Sequence, residues 1–180
     1  VDYRLAPEHP YPAAVHDAYD SLDWAVAQQP SLEYGPGQLF VAGDSAGANL
    51  AAVAAQYALD SGIPLAGQAL IYPVTDFRDT VSYESRQTRA SGYGLTQHDM
   101  LWYGRHYLDD ASLVADPEVS PIVRTDLSGL APTFMMTAGY DPLASEGEAY
   151  AARLREAGVP VEHLHLPGAN HGVFTEFRMF

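Results

Sequence analysis

Segments with helix-like and strand-like spacing of apolar residues follow one another along the chain. Apolar residues recur at three- and four-residue intervals from Val15 to Val26, which predicts a helix that begins near Pro12 and ends before Pro30. An alanine-rich run predicts a second helix over 46–60, closed by Gly62. Short apolar runs predict strands, which are expected at 1–5, 39–42, 65–73, 132–140 and 161–166, with a third helix over 146–157.

Two pairs of residues have the spacing of a capping box, in which two side chains at a helix start bond to each other's backbone. Ser145 and Glu148 predict the start of the third helix, and Gly158 predicts its end. Thr96 and Asp99 predict another helix start, within a long stretch rich in aromatic residues.

That stretch, residues 76–126, interrupts the alternation of strands and helices. It is either an amphipathic segment packed on the core or a lid whose aromatic side chains line a pocket. Elsewhere the alternation is typical of the α/β class, a mostly parallel sheet with helices on both faces. We therefore expect one domain with a core of 1–75 and 127–180 and an insertion at 76–126. Ligands of such sheets bind at the carboxyl ends of the strands.

Composition narrows the possible partners. A chain of 180 residues with 47% apolar content can bury a substantial core. Its formal charge of −14 argues against nucleic acid or an anionic membrane surface as a partner, since both would repel it. No stretch approaches the roughly 20 apolar residues of a membrane span, so a soluble chain is expected. Neutral or cationic small substrates remain open, and the oligomeric state is undetermined.

Two residue types are missing from the chain. The absence of cysteine excludes thiol nucleophiles, disulfides and thiolate metal sites, and the absence of lysine excludes serine-lysine and Schiff-base mechanisms. Missing cysteines leave the compartment undetermined, with a cytoplasmic location favoured. The chain begins with Val1, so any targeting segment would lie upstream.

Ser45 is the candidate nucleophile. It lies in the pentapeptide Gly43-Asp44-Ser45-Ala46-Gly47, between a predicted strand and the alanine-rich helix. A serine before a helix is ordinarily an N-cap, which is the simpler interpretation. The strand-turn-helix context instead favours a nucleophile elbow, a strained turn in which flanking glycines leave room around the serine.

A serine nucleophile needs a histidine to take its proton and an acid to orient that histidine. His171 follows the last predicted strand, and Asp141 comes directly after the strand before it. The chain order of serine, acid and histidine is that of α/β-hydrolases. As an alternative, His163, His165 and His171 could bind a metal ion together with Asp141.

With these motifs the chain resembles the hormone-sensitive lipase-like (bacterial family IV) esterases of the α/β-hydrolase superfamily. The matching segments are Asp2–Glu8, Pro10–Ala14, Gly43–Gly47, Asp141–Leu143 and His171–Gly172. The resemblance implies a serine carboxylesterase for short- to medium-chain esters, with Ser45 as nucleophile, His171 as general base and Asp141 as its orienting acid. It implies a small-molecule ester substrate, no cofactor, and a substrate-covering cap to which residues 76–126 contribute.

The chain also departs from that family. Family members carry an upstream His-Gly-Gly-Gly loop that supplies most oxyanion-hole donors, whereas no two glycines are adjacent here. The backbone N–H of Ala46 is the one recognisable donor. There is no room for the usual helix after the histidine, and Ala169 and Asn170 replace more apolar residues. We interpret the chain as an internal fragment that is inactive alone. The alternatives are a noncatalytic ligand-binding domain of the same fold and a metal-dependent hydrolase.

Overall fold

The computed structural model describes residues 1–35 and 37–175. Within them, four strands form one sheet in the order β1-β2-β3-β4, and each neighbouring pair is parallel. The strands are β1 Leu39–Asp44, β2 Leu65–Ile71, β3 Thr133–Tyr140 and β4 Val161–Asn170. The helices are α1 Ala13–Ala27, α2 Gln29–Leu32, α3 Ala46–Asp60, α4 Glu84–Thr88, α5 Gln97–Tyr107 and α6 Ala144–Glu156. This architecture confirms the α/β class.

The main core lies between the sheet and the helices α3 and α6. Alanines of α3, including Ala48 and Ala52, are fully buried, and their small side chains let the helix approach the sheet closely. Met135 of β3 and Leu154 of α6 complete this layer, each with no exposed surface. The helix α1 packs on α3 through a smaller apolar cluster.

The sheet leaves apolar side chains exposed at both edges. Phe40 of β1 is 65% exposed, and Leu164 of β4 is 43% exposed. No further strand lies beside β1 within residues 1–35 and 37–175. An unpaired edge with a large exposed aromatic favours association with other chains. In the same ranges no helix combines the length and apolarity that crossing a bilayer requires.

Three expectations for the elements need correction. Residues 1–5 form no strand, because the Arg4 N–H donates to the Asp17 carboxylate at 2.7 Å and so bonds to α1 instead of a neighbouring strand. The helix α6 begins at Ala144, earlier than predicted, and Ser145 with Glu148 forms no capping box. The strand β4 runs to Asn170, four residues beyond its predicted end.

The helix start predicted inside 76–126 is confirmed. The Asp99 N–H donates to the Thr96 hydroxyl at 3.1 Å, and the Thr96 N–H donates back to the Asp99 carboxylate at 3.0 Å. This capping box opens α5. The stretch also contains α4 and two short 3-10 turns at Ala111–Ala115 and Pro121–Val123. Its role as a cap stays a prediction.

The strands β3 and β4 change register near their carboxyl ends. Ala138 pairs with Leu166, but the next recorded pair is Tyr140 with Asn170, so β4 contributes two additional residues. A side chain at Gly139 would place its Cβ 2.3 Å from the Pro167 carbonyl oxygen, so this crossing requires glycine. The shift makes the residues that follow Tyr140 and Asn170 neighbours.

Ser45 alone makes the turn between β1 and α3. Its backbone has φ 52° and ψ −117°, a conformation that a residue with a side chain adopts only with strain. A Cβ on Gly43 would lie 2.2 Å from the Gly47 carbonyl oxygen, so the tight turn requires glycine at position 43. A Cβ on Gly47 would meet open space, with the Tyr3 hydroxyl 4.0 Å away. The steric requirement therefore lies at Gly43.

We expect Ser45→Gly to be more stable than Ser45→Ala by about 1 kcal/mol. Both variants lose the hydroxyl, but only glycine relieves a backbone strain of roughly 1–3 kcal/mol, which outweighs its greater entropy in the unfolded chain. Ser61, at the other end of α3 with φ −88°, is the control. There, glycine should be less stable than alanine by about 0.5–1 kcal/mol. Urea unfolding measures both pairs, and the same order at both positions would contradict strain at Ser45.

Candidate active site

The three predicted site residues meet at the carboxyl edge of the sheet. Ser45 follows β1, Asp141 follows β3 and His171 follows β4. The Ser45 hydroxyl oxygen lies 2.8 Å from Nε2 of His171, and Nδ1 of the same ring lies 2.7 Å from Oδ2 of Asp141. The register shift supplies this contact, because it sets Asn170 opposite Tyr140.

Asp141 is held on both of its oxygens. The side chain is completely buried, and its Oδ1 accepts the backbone N–H of Leu143 at 2.8 Å. Its Oδ2 faces His171, which must therefore carry its proton on Nδ1 to donate to the carboxylate. In that tautomer the Nε2 lone pair accepts a hydrogen bond from Ser45.

The alternative that Ser45 serves as a helix cap is wrong. Ser45 occupies the N-cap position of α3, but its side chain makes no capping hydrogen bond. Its positive φ also differs from the extended backbone typical of an N-cap residue. The hydroxyl is directed to His171 instead.

Ala46 is the first residue of α3. Its N–H, like the others in a first helical turn, has no acceptor within the helix. The partial positive charge at this end of a 15-residue helix adds to the N–H as a site for developing negative charge. Ala46 is thus positioned beside Ser45 as the sequence predicts, and its role as a donor stays a proposal.

Tyr72 is a site residue that sequence reasoning missed. Its ring centroid lies 4.7 Å from that of His171, at an interplanar angle of 57°, and only 1% of its surface is exposed. Burial raises the pKa of its hydroxyl. Tyr72 follows β2 directly, so its position at the carboxyl edge was an available signal. The ring limits the rotation of the imidazole.

The alternative metal ligands do not converge. His163 and His165 both contact the hydroxyl of Thr137, at 2.8 and 2.9 Å, whereas His171 contacts Ser45 and Asp141. Burial lowers the pKa of His163. Across the described ranges, no three histidine or carboxylate side chains are arranged to hold a metal ion together.

Known proteins are similar to nearly all of this chain. Residues 1–175 match a family described as having the alpha/beta hydrolase fold. The carboxylic ester hydrolase LipN of Mycobacterium tuberculosis is 45% identical over 187 aligned positions, which cover 99% of this chain and 49% of that protein. An arylesterase of Saccharolobus solfataricus is 37% identical, with coverage of 95% and 56%.

Among solved structures, a hyperthermophilic esterase from the archaeon Pyrobaculum calidifontis is 43% identical and superposes with a TM-score of 0.90. The match covers 96% of this chain and 57% of that one. The chain thus spans about half the length of the curated relatives it matches. These similarities confirm the resemblance to the hormone-sensitive lipase-like esterases. The chain belongs to the alpha/beta hydrolase family.

Proposed function

We propose that the whole protein is a serine carboxylesterase. The observation that carries the proposal is the continuous hydrogen-bonded chain from Ser45 through His171 to the buried Asp141. Such a chain lets a neutral imidazole take the hydroxyl proton while a carboxylate stabilises the imidazolium that forms. The names of similar proteins, a carboxylic ester hydrolase and an arylesterase, support ester substrates.

In the proposed reaction, Oγ of Ser45 bonds to the acyl carbon as its proton passes to Nε2 of His171. The imidazolium then protonates the alcohol oxygen, the ester bond breaks, and an acyl-enzyme remains. A water molecule next attacks this acyl carbon while His171 takes its proton. That proton is returned to Oγ as the carboxylic acid leaves, which restores the starting state.

Negative charge develops on the carbonyl oxygen during both attacks, and preorganised N–H donors must face it. Ala46 supplies one donor at the N-terminus of α3. The family resemblance implies that further donors come from a glycine loop upstream of residue 1. The family resemblance implies esters of short to medium acyl chains. We propose that these substrates are neutral or cationic, because the charge of −14 disfavours anionic ones.

Replacement of Ser45 by alanine should abolish both labelling and turnover. Oγ of Ser45 should bond to the phosphorus of an alkylphosphonate aryl ester probe as the phosphorus–aryloxide bond breaks and the phenol leaves, which is visible as a mass increase on the peptide that contains Ser45. Ser45→Ala should lose this label and lower kcat on a short-chain ester by about 10⁴-fold or more. Ser21→Ala removes a hydroxyl bonded to the Asp17 carbonyl on α1 and is the matched control. If the folded protein binds esters but the probe does not label it, the result would favour the alternative of a noncatalytic ligand-binding domain.

The 180 residues alone should hydrolyse esters at least about 10²-fold more slowly than a chain extended on both sides to the length of its relatives. One lost oxyanion donor typically costs that much. The uncovered edge at Phe40 should also promote aggregation of the shorter chain. Turnover of a short-chain ester by soluble protein, with circular dichroism to establish folding, compares the two. Equal turnover would mean that the oxyanion donors lie within these residues.

We further propose that residues 76–126 form part of a lid over the acyl chain. On α5, Leu101, Trp102 and Tyr103 are each about half exposed, at 49%, 51% and 60%. The Trp102 and Tyr103 rings contact each other with centroids 5.2 Å apart, and a contiguous exposed apolar patch marks an interaction or ligand-binding surface.

Trp102→Ala should therefore change the preference between short and longer acyl esters by roughly tenfold, the equivalent of one to a few methylene contacts. Trp24→Ala, which removes a 60% exposed tryptophan from α1, should leave the preference unchanged. The ratio of kcat/KM for acetate and hexanoate esters of one alcohol measures the effect. An equal loss on both esters would argue against an acyl contact.

A further inference from the structure

Residues 139–146, called the acid turn here, carry Asp141 between β3 and the first turn of α6. Segment 85–93, at α4 and just beyond it, contacts the acid turn on both sides of Asp141. Two of these contacts are hydrogen bonds, which fix an orientation as well as a distance, and the third is a stack of two tyrosine rings.

Downstream of Asp141, two serines exchange hydrogen bonds. The Ser85 N–H donates to the Ser145 hydroxyl at 3.1 Å, and the Ser145 N–H donates to the Ser85 hydroxyl at 3.0 Å. The Ser85 O–H donates in turn to the carbonyl of Pro142 at 2.7 Å. Neither α4 nor α6 has a side-chain bond from its own N-cap residue. Each helix start is therefore capped by a serine of the other helix, and Ser85 also bonds the residue next to Asp141.

A buried ion pair lies beside this exchange. Both Nε and Nη2 of Arg86 bond to Oε2 of Glu146, at 2.8 and 2.5 Å, and Glu146 is completely buried. The other carboxylate oxygen accepts the N–H groups of Thr75 and Asp76 at 2.8 and 3.3 Å. Burial raises the pKa of Glu146 to about 7, against the opposing effect of Arg86. Loss of one partner of such a pair leaves an uncompensated buried charge, so the pair resists separation.

Upstream of Asp141, the same segment bonds the end of β3. Nε of Arg89 donates to the Gly139 carbonyl at 3.1 Å, and its guanidinium lies 5.8 Å from the Tyr140 ring centroid. The Tyr93 ring stacks on Tyr140 with centroids 4.8 Å apart. Asp141 is thus held from residues on both sides of it.

We propose that Ser85, Arg86 and Arg89 are positioning residues for Asp141. In this arrangement the insertion sets the orientation of the acid, and through it the ring of His171. The inference rests on the proposed function, because orientation of His171 matters most where that ring transfers a proton. Displacement of a catalytic group by about 1 Å can cost on the order of 10²-fold in rate, so loss of part of this support should be measurable in kcat.

The test is a double-mutant cycle between Ser85→Ala and Asp141→Asn in the chain extended to the length of its relatives. Ser85→Ala alone should lower kcat about tenfold with little change in KM, because it disturbs orientation and not substrate contact. In the Asp141→Asn background the same change should have no further effect, since the group it positions is already lost. If the double variant instead loses kcat by the product of the two single-variant factors, the proposal is wrong.

Ser120→Ala is the matched control. Ser120 is also a buried serine of the insertion with two hydrogen bonds, from the Phe77 N–H at 2.8 Å and to the Val114 carbonyl at 2.7 Å. Its side chain does not bond to the acid turn. Ser120→Ala should therefore lower Tm about as much as Ser85→Ala does but leave kcat unchanged. Arg89→Gln is a second positioning variant should Ser85→Ala fail to fold, and kcat equal to wild type in either folded variant would contradict the proposal.

Proton NMR of the His171 Nδ1–H separates this inference from the proposed function. The low-field resonance of that proton reports the bond to Asp141 whether or not the protein hydrolyses esters. It should shift or broaden in Ser85→Ala and keep its position in Ser120→Ala. An unchanged resonance in Ser85→Ala would overturn the positioning role. If the wild-type protein shows no esterase turnover but its resonance still differs from that of Ser85→Ala, the proposed function is wrong and the positioning role stands.

Discussion

The structure depends on the register between β3 and β4. Regular pairing beyond Ala138 and Leu166 would set Tyr140 opposite Gly168, and Asp141 would then have no imidazole beside it. The two additional residues in β4 move the next pair to Tyr140 and Asn170. This shift is possible because Gly139 lets the Pro167 carbonyl come closer than any side chain would allow. The absence of a side chain at Gly139 thus determines that His171 faces the buried carboxylate of Asp141.

Sequence reasoning succeeded where local signals act alone. The bounds of α3, Ala46–Asp60, match the prediction because an alanine-rich run sits between a turn and a glycine stop. The Thr96 and Asp99 capping box formed because both partners belong to one helical turn. The proximity of Ser45, Asp141 and His171 was predictable because parallel strands bring their carboxyl ends to one edge.

Sequence reasoning failed where a distant residue decides the local structure. Ser145 has the spacing of a capping residue, but its hydroxyl accepts the N–H of Ser85, which lies 60 positions earlier. Residues 1–5 have a strand-like pattern, yet the carboxylate of Asp17 takes the Arg4 N–H. The extension of β4 follows from a steric contact between two strands, and Tyr72 becomes part of the site through packing on His171. No local pattern encodes the bonding partners of Arg4 and Ser145, whereas the position of Tyr72 directly after β2 was an available signal.

The hydrogen bonds between Ser85 of α4 and Ser145 of α6 affect how the stability of the site responds to salt. Neutral hydrogen bonds are not screened by dissolved ions, and buried pairs such as Arg86 with Glu146 are screened far less than exposed ones. The Arg4–Asp17 pair, whose arginine side chain is 49% exposed, will weaken as ionic strength rises. The self-repulsion of a chain with a charge of −14 will weaken as well. Dissolved ions therefore act mainly on the surface of this protein, and the attachment of the acid turn changes far less between dilute and concentrated salt than the exposed ion pairs do.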